Sequence, residues 1–352
     1  MKFTLWRDEV ALVRPVAAAH QSHDVRSRLF LRIEHDGVIG FGEVAPQPRA
    51  LHGDPGVDEV IDELRTITIP QIRAAFTREG SVPSWTRLAR FAGARPSSAV
   101  AVALVEMAAL DRELRASHQD TMTLWPRRFN TPTQATVSLL ELSDPWHVDS
   151  DVARVRVKTS PGTIAAEALE RLNHLNVPVL LDFNCSARSD ADVLDQVAQV
   201  ERVVTLSAVE QPFAAGNVID HSTLAEQLDV PLSLDEGVRN LRDLGQIARY
   251  SAAQVVCIKP ARVGGVANAR TMVLKSQSLG LRPYIGGFFE SPFARHVHRL
   301  LAESCVSEPS DLGIVAVQGA LNHAELALSR AGFGVAPSPE LLAHAATIDL
   351  ES

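Results

Sequence analysis

The sequence predicts an α/β protein: a (β/α)8-type barrel with an N-terminal α+β capping domain. Three observations predict it. From about Thr136, short runs rich in Val, Ile and Leu alternate with helical stretches, the pattern of a parallel sheet covered by helices. Five of these runs finish on an ionisable residue. They are Lys158, Asp182, Glu210, Asp235 and Lys259, spaced by 24, 28, 25 and 24 residues, and Gly286 follows after 27 more. One strand–helix unit takes about that length. Each successive strand therefore carries a charged side chain at its carboxyl end, where a barrel of this kind carries its active site. Third, the first 130 residues lack this alternation. An open doubly wound sheet is the alternative. It would ordinarily carry a Gly-rich phosphate loop after its first strand, and TVSLLELSDP (136–145) has none.

In chain order, SRLFLRIE (27–34) reads as a strand, His35-Asp36-Gly37 as a turn, and VIGFGEV (38–44) as the returning strand of a hairpin. Three helical stretches follow. The clearest is 97–116, with Pro96 at its start and Ala, Val, Leu and Met along most of its length. It is apolar over two faces, which predicts burial between two layers. Residues 1–130 are the expected cap. The barrel is expected over 131–325, with strands at TVSLL (136–140), RVRVK (154–158), VPVLLDFN (177–184), SAVEQ (207–211), VPLSLDE (230–236), QVVCIK (254–259), RPYIGG (282–287) and 310–315. Residues 326–352 hold Pro337, Pro339 and a short helix, and are expected to pack back on the cap.

Composition excludes several classes. Apolar residues are 46% and charged residues 22%, which is globular. The net charge of −8 gives no electrostatic footprint for nucleic acid. No run of about 18 apolar residues predicts a membrane span, and the start MKFTLWRDEV has no signal-peptide core. Cys185, Cys257 and Cys305 are far apart and odd in number, which fits neither a disulfide framework nor zinc and points to a reduced, cytoplasmic setting.

The chemistry lies at the strand ends. A single Asp after a strand is ordinarily a helix cap. Asp182, Glu210 and Asp235 in three consecutive units would instead point three anions at one mouth, where they repel unless a cation sits between them. Oxygen-only ligands favour Mg²⁺, with Mn²⁺ as a substitute. Lys158 and Lys259 would face each other across the ring, unless each is only the salt-bridge partner of a carboxylate. Arg156 shares a strand face with Lys158; unless it pairs with a surface carboxylate, its charge lowers the lysine pKa toward that of a general base. Together these groups describe removal of a proton beside a metal-clamped carboxylate of a small-molecule substrate. The presence of all five strand-end groups argues against a barrel kept only for binding. Composition is equally compatible with a monomer and a homo-oligomer.

These residues resemble the enolase superfamily, in its muconate-lactonizing branch. The resemblance spans nearly the whole chain: DGVIGFGEVAP (36–46), with Gly42-Glu43, and AVALVEMAALDRELRA (101–116) in the cap; RVK (156–158), LDFN (181–184), VEQP (209–212), LDEG (234–237), IKPARVGG (258–265) and GGFFES (286–291) in the barrel. Order and spacing carry it. The resemblance implies Asp182, Glu210 and Asp235 as metal ligands, Lys158 as the acid/base and Lys259 as the lysine opposite. It implies Asn184 near metal and substrate, and Gly286, Gly287, Phe288 and Glu290 on the substrate-facing loop. Arg156 replaces the first lysine of the family's Lys-x-Lys. Within the branch the sequence looks most like the o-succinylbenzoate synthases, at residues 15–37, 286–295 and 308–313. That implies a carbon–oxygen lyase of menaquinone biosynthesis; N-succinylamino-acid racemases and other cycloisomerase-like epimerases share the same residues. Phe288, where the family usually has Met, and Pro292 after Ser291 depart from the pattern. The segment 20–26 is expected to form a mobile loop over the mouth, its His and Arg residues meeting an anionic substrate tail.

Overall fold

The computed structural model describes residues 1–18, 21–80, 83–88, 95–130, 133–138, 152–174, 176–313 and 325–350. The chain opens with β1 (Lys2–Ala18), β2 (Gln21–His35) and β3 (Val38–Val44), an antiparallel meander. Helix α1 (Val57–Glu63) runs through one π-helical turn (Leu64–Thr68) into α2 (Ile69–Glu79). The short α3 (Trp85–Leu88), the long α4 (Pro96–Ala116) and α5 (Thr121–Leu124) follow. Helix α4 has the two faces its sequence predicts. Leu104 and Val105 pack with Leu5, Leu29 and Leu31 in the cap core, whereas Met107, Leu110 and Leu114 belong to the barrel core. The helix lies so close to β3 that a Cβ on Gly42 would stand 2.2 Å from the Leu104 carbonyl oxygen, which explains the glycine.

The second half alternates as predicted. The strands are β4 (Thr133–Ser138), β5 (Val152–Lys158), β6 (Val179–Asp182), β7 (Leu206–Glu210), β8 (Leu232–Leu234), β9 (Val255–Ile258) and β10 (Arg282–Ile285). From β5 onward each is followed by a helix: α6 (Ala166–Asn173), α7 (Asp190–Val200), α8 (Val218–Ala225), α9 (Leu241–Arg249), α10 (Val266–Ser278) and α11 (Pro292–Cys305). The seven strands form one parallel sheet in sequential order. In a flat sheet, strands three apart lie about 14 Å apart. Yet Tyr284 Oη on β10 donates to Glu210 on β7, and Arg156 on β5 reaches Asp235 just past β8. The sheet is therefore curled into a barrel wall.

Of the expected eighth strand, Ser310 and Asp311 line β10: Asp311 N donates to Ile285 O (3.0 Å) and Ile285 N to Ser310 Oγ (3.2 Å). Residues 314–315 of that strand, and 139–140 of the first, lie outside the described residues. The chain continues with a hairpin of β11 (Leu326–Leu328) and β12 (Val335–Pro337), α12 (Pro339–His344) and β13 (Ala346–Ile348). Strand β13 pairs antiparallel with β1, so the C-terminal segment completes the cap sheet.

Two buried cap carboxylates dock on barrel helices. Glu106 of α4 accepts from the backbone N–H groups of Val266 and Ala267 at the start of α10 (3.1 and 2.9 Å). Glu43 of β3 accepts from the N–H groups of Ser291 and Ala294 at the start of α11 (2.6 and 3.1 Å). Both satisfy donors that a helix start leaves unpaired.

Candidate active site

Asp182 and Glu210 are the last residues of β6 and β7, and Asp235 follows β8 directly, so the three strand ends bring the carboxylates to one rim. All three are fully buried. They converge on one atom, Arg156 Nη2, which lies 2.7 Å from Asp182 Oδ2, 2.6 Å from Glu210 Oε1 and 3.4 Å from Asp235 Oδ2. The other arm, Nη1, pairs with Asp311 Oδ2 at 3.2 Å. Arg156 is itself buried, so the surface-carboxylate alternative does not hold. Burial opposes its charge, but Asp182, Glu210 and Asp311 outweigh burial and hold its pKa well above the ordinary value.

The two lysines differ in setting. Lys259 Nζ contacts Asp235 Oδ2 at 2.7 Å and lies 4.8 Å from the centre of the Phe288 ring. Burial again opposes the charge, and Asp235 overrides it, raising the lysine pKa. Lys158 Nζ instead donates to the neutral Asn184 Oδ1 at 2.8 Å. Its pKa is lowered, first by burial, with Asp182 opposing and Arg156 and Lys259 adding to the effect. Arg156 thus acts in the predicted direction, but burial is the larger cause. Asn184 adopts φ 44°, a left-handed conformation that Asn tolerates, and its Nδ2 donates to Glu236 Oε1 at 3.3 Å.

The loop after β10 carries the four residues expected to face the substrate. Phe288 is half-buried and faces Lys259 and Arg262. Gly286 and Gly287 make room: a Cβ on Gly286 would stand 2.4 Å from Cys257 Sγ, and one on Gly287 2.7 Å from Glu290 Oε2. Glu290, expected on the substrate-facing loop, turns inward. It is buried, accepts from the Phe288 N–H at 2.8 Å and pairs with Arg295 at 3.5 Å, so it shapes the loop. The expected mobile loop at 20–26 is corrected: Gln21–Arg26 continues β2, and His20 lies outside the described residues. Arg26 is buried, donates to Gln47 Oε1 at 2.8 Å and stacks on Phe289 at 3.8 Å.

Sequence reasoning missed Arg262, Asp54, Glu236, Asp311 and Tyr284. Arg262 donates to Asp235 Oδ1 at 2.6 Å and pairs through its other arm with Asp54 of the cap at 2.7 Å. Arg262 and Asp311 stand inside the motifs IKPARVGG and EPSDLG, where their charge was the available clue. Asp54 carried none.

The donors suit a hard divalent cation. Asp182 Oδ2 and Glu210 Oε1 are buried acceptors with no aligned hydrogen bond; Asp235 Oδ2 faces the same point. Such a set of oxygens fits Mg²⁺ or Mn²⁺ in chemistry and direction. As they stand, the carboxylates surround Arg156 Nη2, and among the described residues no three-ligand cluster is closed to metal distance. Binding an ion there requires Arg156 Nη2 to leave.

Fold and site together define a (β/α)8-type barrel whose rim carries carboxylates and two lysines beneath a cap. The family described as "Enolase C-terminal domain-like" matches residues 144–331, and the chain belongs to it, within the enolase superfamily of enzymes. An N-succinylamino acid racemase from Amycolatopsis sp is 27% identical over 97% of this chain and 96% of its own length. An o-succinylbenzoate synthase from Bacillus subtilis is 24% identical over 86% of this chain and 81% of its own. The structure of a muconate lactonizing enzyme from Pseudomonas fluorescens superposes with a TM-score of 0.77 at 18% identity, covering 97% of both chains, which shows the fold.

Proposed function

We propose that this chain removes the α-proton of a small carboxylate substrate with Lys158. The leading assignment is o-succinylbenzoate synthase: syn-dehydration of 2-succinyl-6-hydroxy-2,4-cyclohexadiene-1-carboxylate, in menaquinone biosynthesis. The observation that carries it is the inequality of the lysines. Lys158 meets a neutral amide and is pushed toward its neutral form by burial, whereas Lys259 is tied to Asp235 as a cation. Dehydration needs that division. Neutral Lys158 takes the α-proton. As the ring becomes aromatic the 6-hydroxyl leaves, and the Lys158 ammonium returns the proton to it, so water departs. Lys259 stays charged throughout and stabilises the negative charge that develops on the substrate carboxylate. Held by Asp182, Glu210 and Asp235, Mg²⁺ or Mn²⁺ would supply the positive charge that acidifies the α-proton of a bound carboxylate. A cytoplasmic setting belongs to the same proposal.

A second reading, N-succinylamino-acid racemase, is favoured by likeness to a racemase along 97% of the chain. It requires both lysines to exchange protons with carbon, one on each face. The two readings separate in D₂O. We expect rapid o-succinylbenzoate formation, and slow or absent α-deuterium incorporation into N-succinylamino acids. Efficient incorporation with inversion, and negligible dehydration, would replace the first reading by the second.

A further inference from the structure

Arg156 stands in place of the family's first Lys-x-Lys lysine, and its guanidinium fills the point on which the three carboxylates converge. We propose that Arg156 is an internal cation: it holds the carboxylate cluster together while no divalent ion is bound, and must withdraw toward Asp311 to admit one. This rests on the metal part of the proposed function.

Charge gives the first argument. Asp235 already has Lys259 and Arg262 as partners. Asp182 and Glu210 have Arg156 as their ion-pair partner, and among the described residues no other. Without it, two buried carboxylates would face each other uncompensated, an expensive arrangement.

Shape gives the second. A guanidinium ordinarily meets a carboxylate as a fork, with two aligned N–H···O bonds. Here one nitrogen meets oxygens from three different side chains. The contacts of 2.6 and 2.7 Å to Glu210 and Asp182 have no N–H aligned with either oxygen, and Arg156 Nε is buried with no hydrogen-bond partner among the described residues. Oxygens grouped around a point suit a spherical ion better than a planar donor. The guanidinium therefore neutralises the cluster but fits it poorly, as a replaceable occupant should.

The third argument is a place to go. Nη1 already contacts Asp311, on the segment lining β10. Rotation about the end of the side chain can keep that ion pair while Nη2 leaves the cluster. A lysine at 156 is one bond shorter and has a single nitrogen, so it lacks the second arm that spans from Asp311 to the cluster.

The test measures metal binding and stability rather than turnover. Chelator-stripped protein is titrated with Mn²⁺, free ion being followed by electron paramagnetic resonance, and melted with and without chelator. Arg156→Lys and Arg156→Met should each bind Mn²⁺ at least about tenfold more tightly than the unaltered chain, within the range that desolvated ion pairs contribute. Asp311→Asn, which removes the retreat, should bind it several-fold more weakly. Chelation should lower the melting temperature of Arg156→Met much more than that of the unaltered chain. Equal or weaker Mn²⁺ affinity in Arg156→Lys would overturn the proposal even if Arg156→Met fails to fold. Absence of Mn²⁺ binding in every variant would overturn the metal reading beneath it.

Discussion

Lys158 is half-buried, and among the described residues its amine meets only the amide oxygen of Asn184 at hydrogen-bond distance. An anion at that position would favour the ammonium and raise the lysine pKa. Asn184→Asp is therefore expected to move the rising limb of the kcat/KM–pH profile upward by about one unit, because the base must be neutral to act. An unmoved limb in the variant would mean that Asn184 does not face the working base. Gly286→Ala should cost activity and about 1–3 kcal/mol of stability, since the added methyl meets the buried Cys257 Sγ at 2.4 Å and Lys259 Cγ at 3.1 Å; unchanged kcat in the folded variant would show that Lys259 has room to spare. The strand-end residues were legible because a sheet period fixes where a strand stops, and the chemistry sits at the stop. Arg262, Asp54 and Asp311 were not, because their roles come from contacts made far along the chain. Asp54 meets Arg262 from another domain, and no local period marks it. Glu290 was placed on its loop by the motif, but its pairing with Arg295 was not legible, because that contact comes from packing.

At the scale of elements, the alternation of apolar runs and helices gave the order of the barrel units, and the apolar two-faced character of α4 gave its position between layers. Strand length was less legible. β8 has three residues and β9 four, against expected runs of 230–236 and 254–259, although backbone hydrogen bonds of Pro231 and Gln254 carry the ladder past the strand ends. The helix starts contain the less visible device. Ser291 caps α11, accepting from the Phe293 N–H at 3.1 Å, and its own hydroxyl donates to Glu43 at 2.6 Å. Glu43→Ala would leave the Ser291 and Ala294 amides without their acceptor and loosen the start of the helix that follows the Phe288 loop. The expected loss is about 2 kcal/mol, typical of a cap or a buried unpaired donor. Chemical denaturation of the variant measures it directly, and a loss below about 0.5 kcal/mol would mean that water replaces the carboxylate without penalty.

Across the whole molecule, cap and barrel meet through buried ionisable groups: Asp54 on Arg262, Glu43 on α11 and Glu106 on α10. Glu106 has the simplest surroundings. Its carboxyl accepts two backbone N–H bonds, and a Cβ on Gly265 would touch it at 2.7 Å. Burial raises its pKa to about 8 from an ordinary value of 4.5, with the two amides opposing. The sign follows from linkage. A carboxyl whose folded pKa is raised favours the fold while protonated, so its contribution is complete below about pH 4.5 and is lost as pH rises through about 8. Glu106→Gln cannot ionise. It gives up one acceptor at the α10 start, a cost that does not change with pH. Melting temperatures of the two proteins, recorded from pH 5 to 9, should therefore converge or cross, the Gln variant gaining steadily on the unaltered chain up to about pH 8 and no further. Parallel curves would place the pH dependence elsewhere. The natural alternative is Glu43, whose pKa burial raises to about 7 against Arg28, and whose window would close one unit earlier. Because both carboxyls lie between the two domains, their ionisation acts on the docking of cap to barrel, and the Phe288 loop at the mouth shares that boundary. Activity that falls in parallel with melting temperature above pH 7, and recovers in Glu106→Gln, would tie activity to the protonated interface.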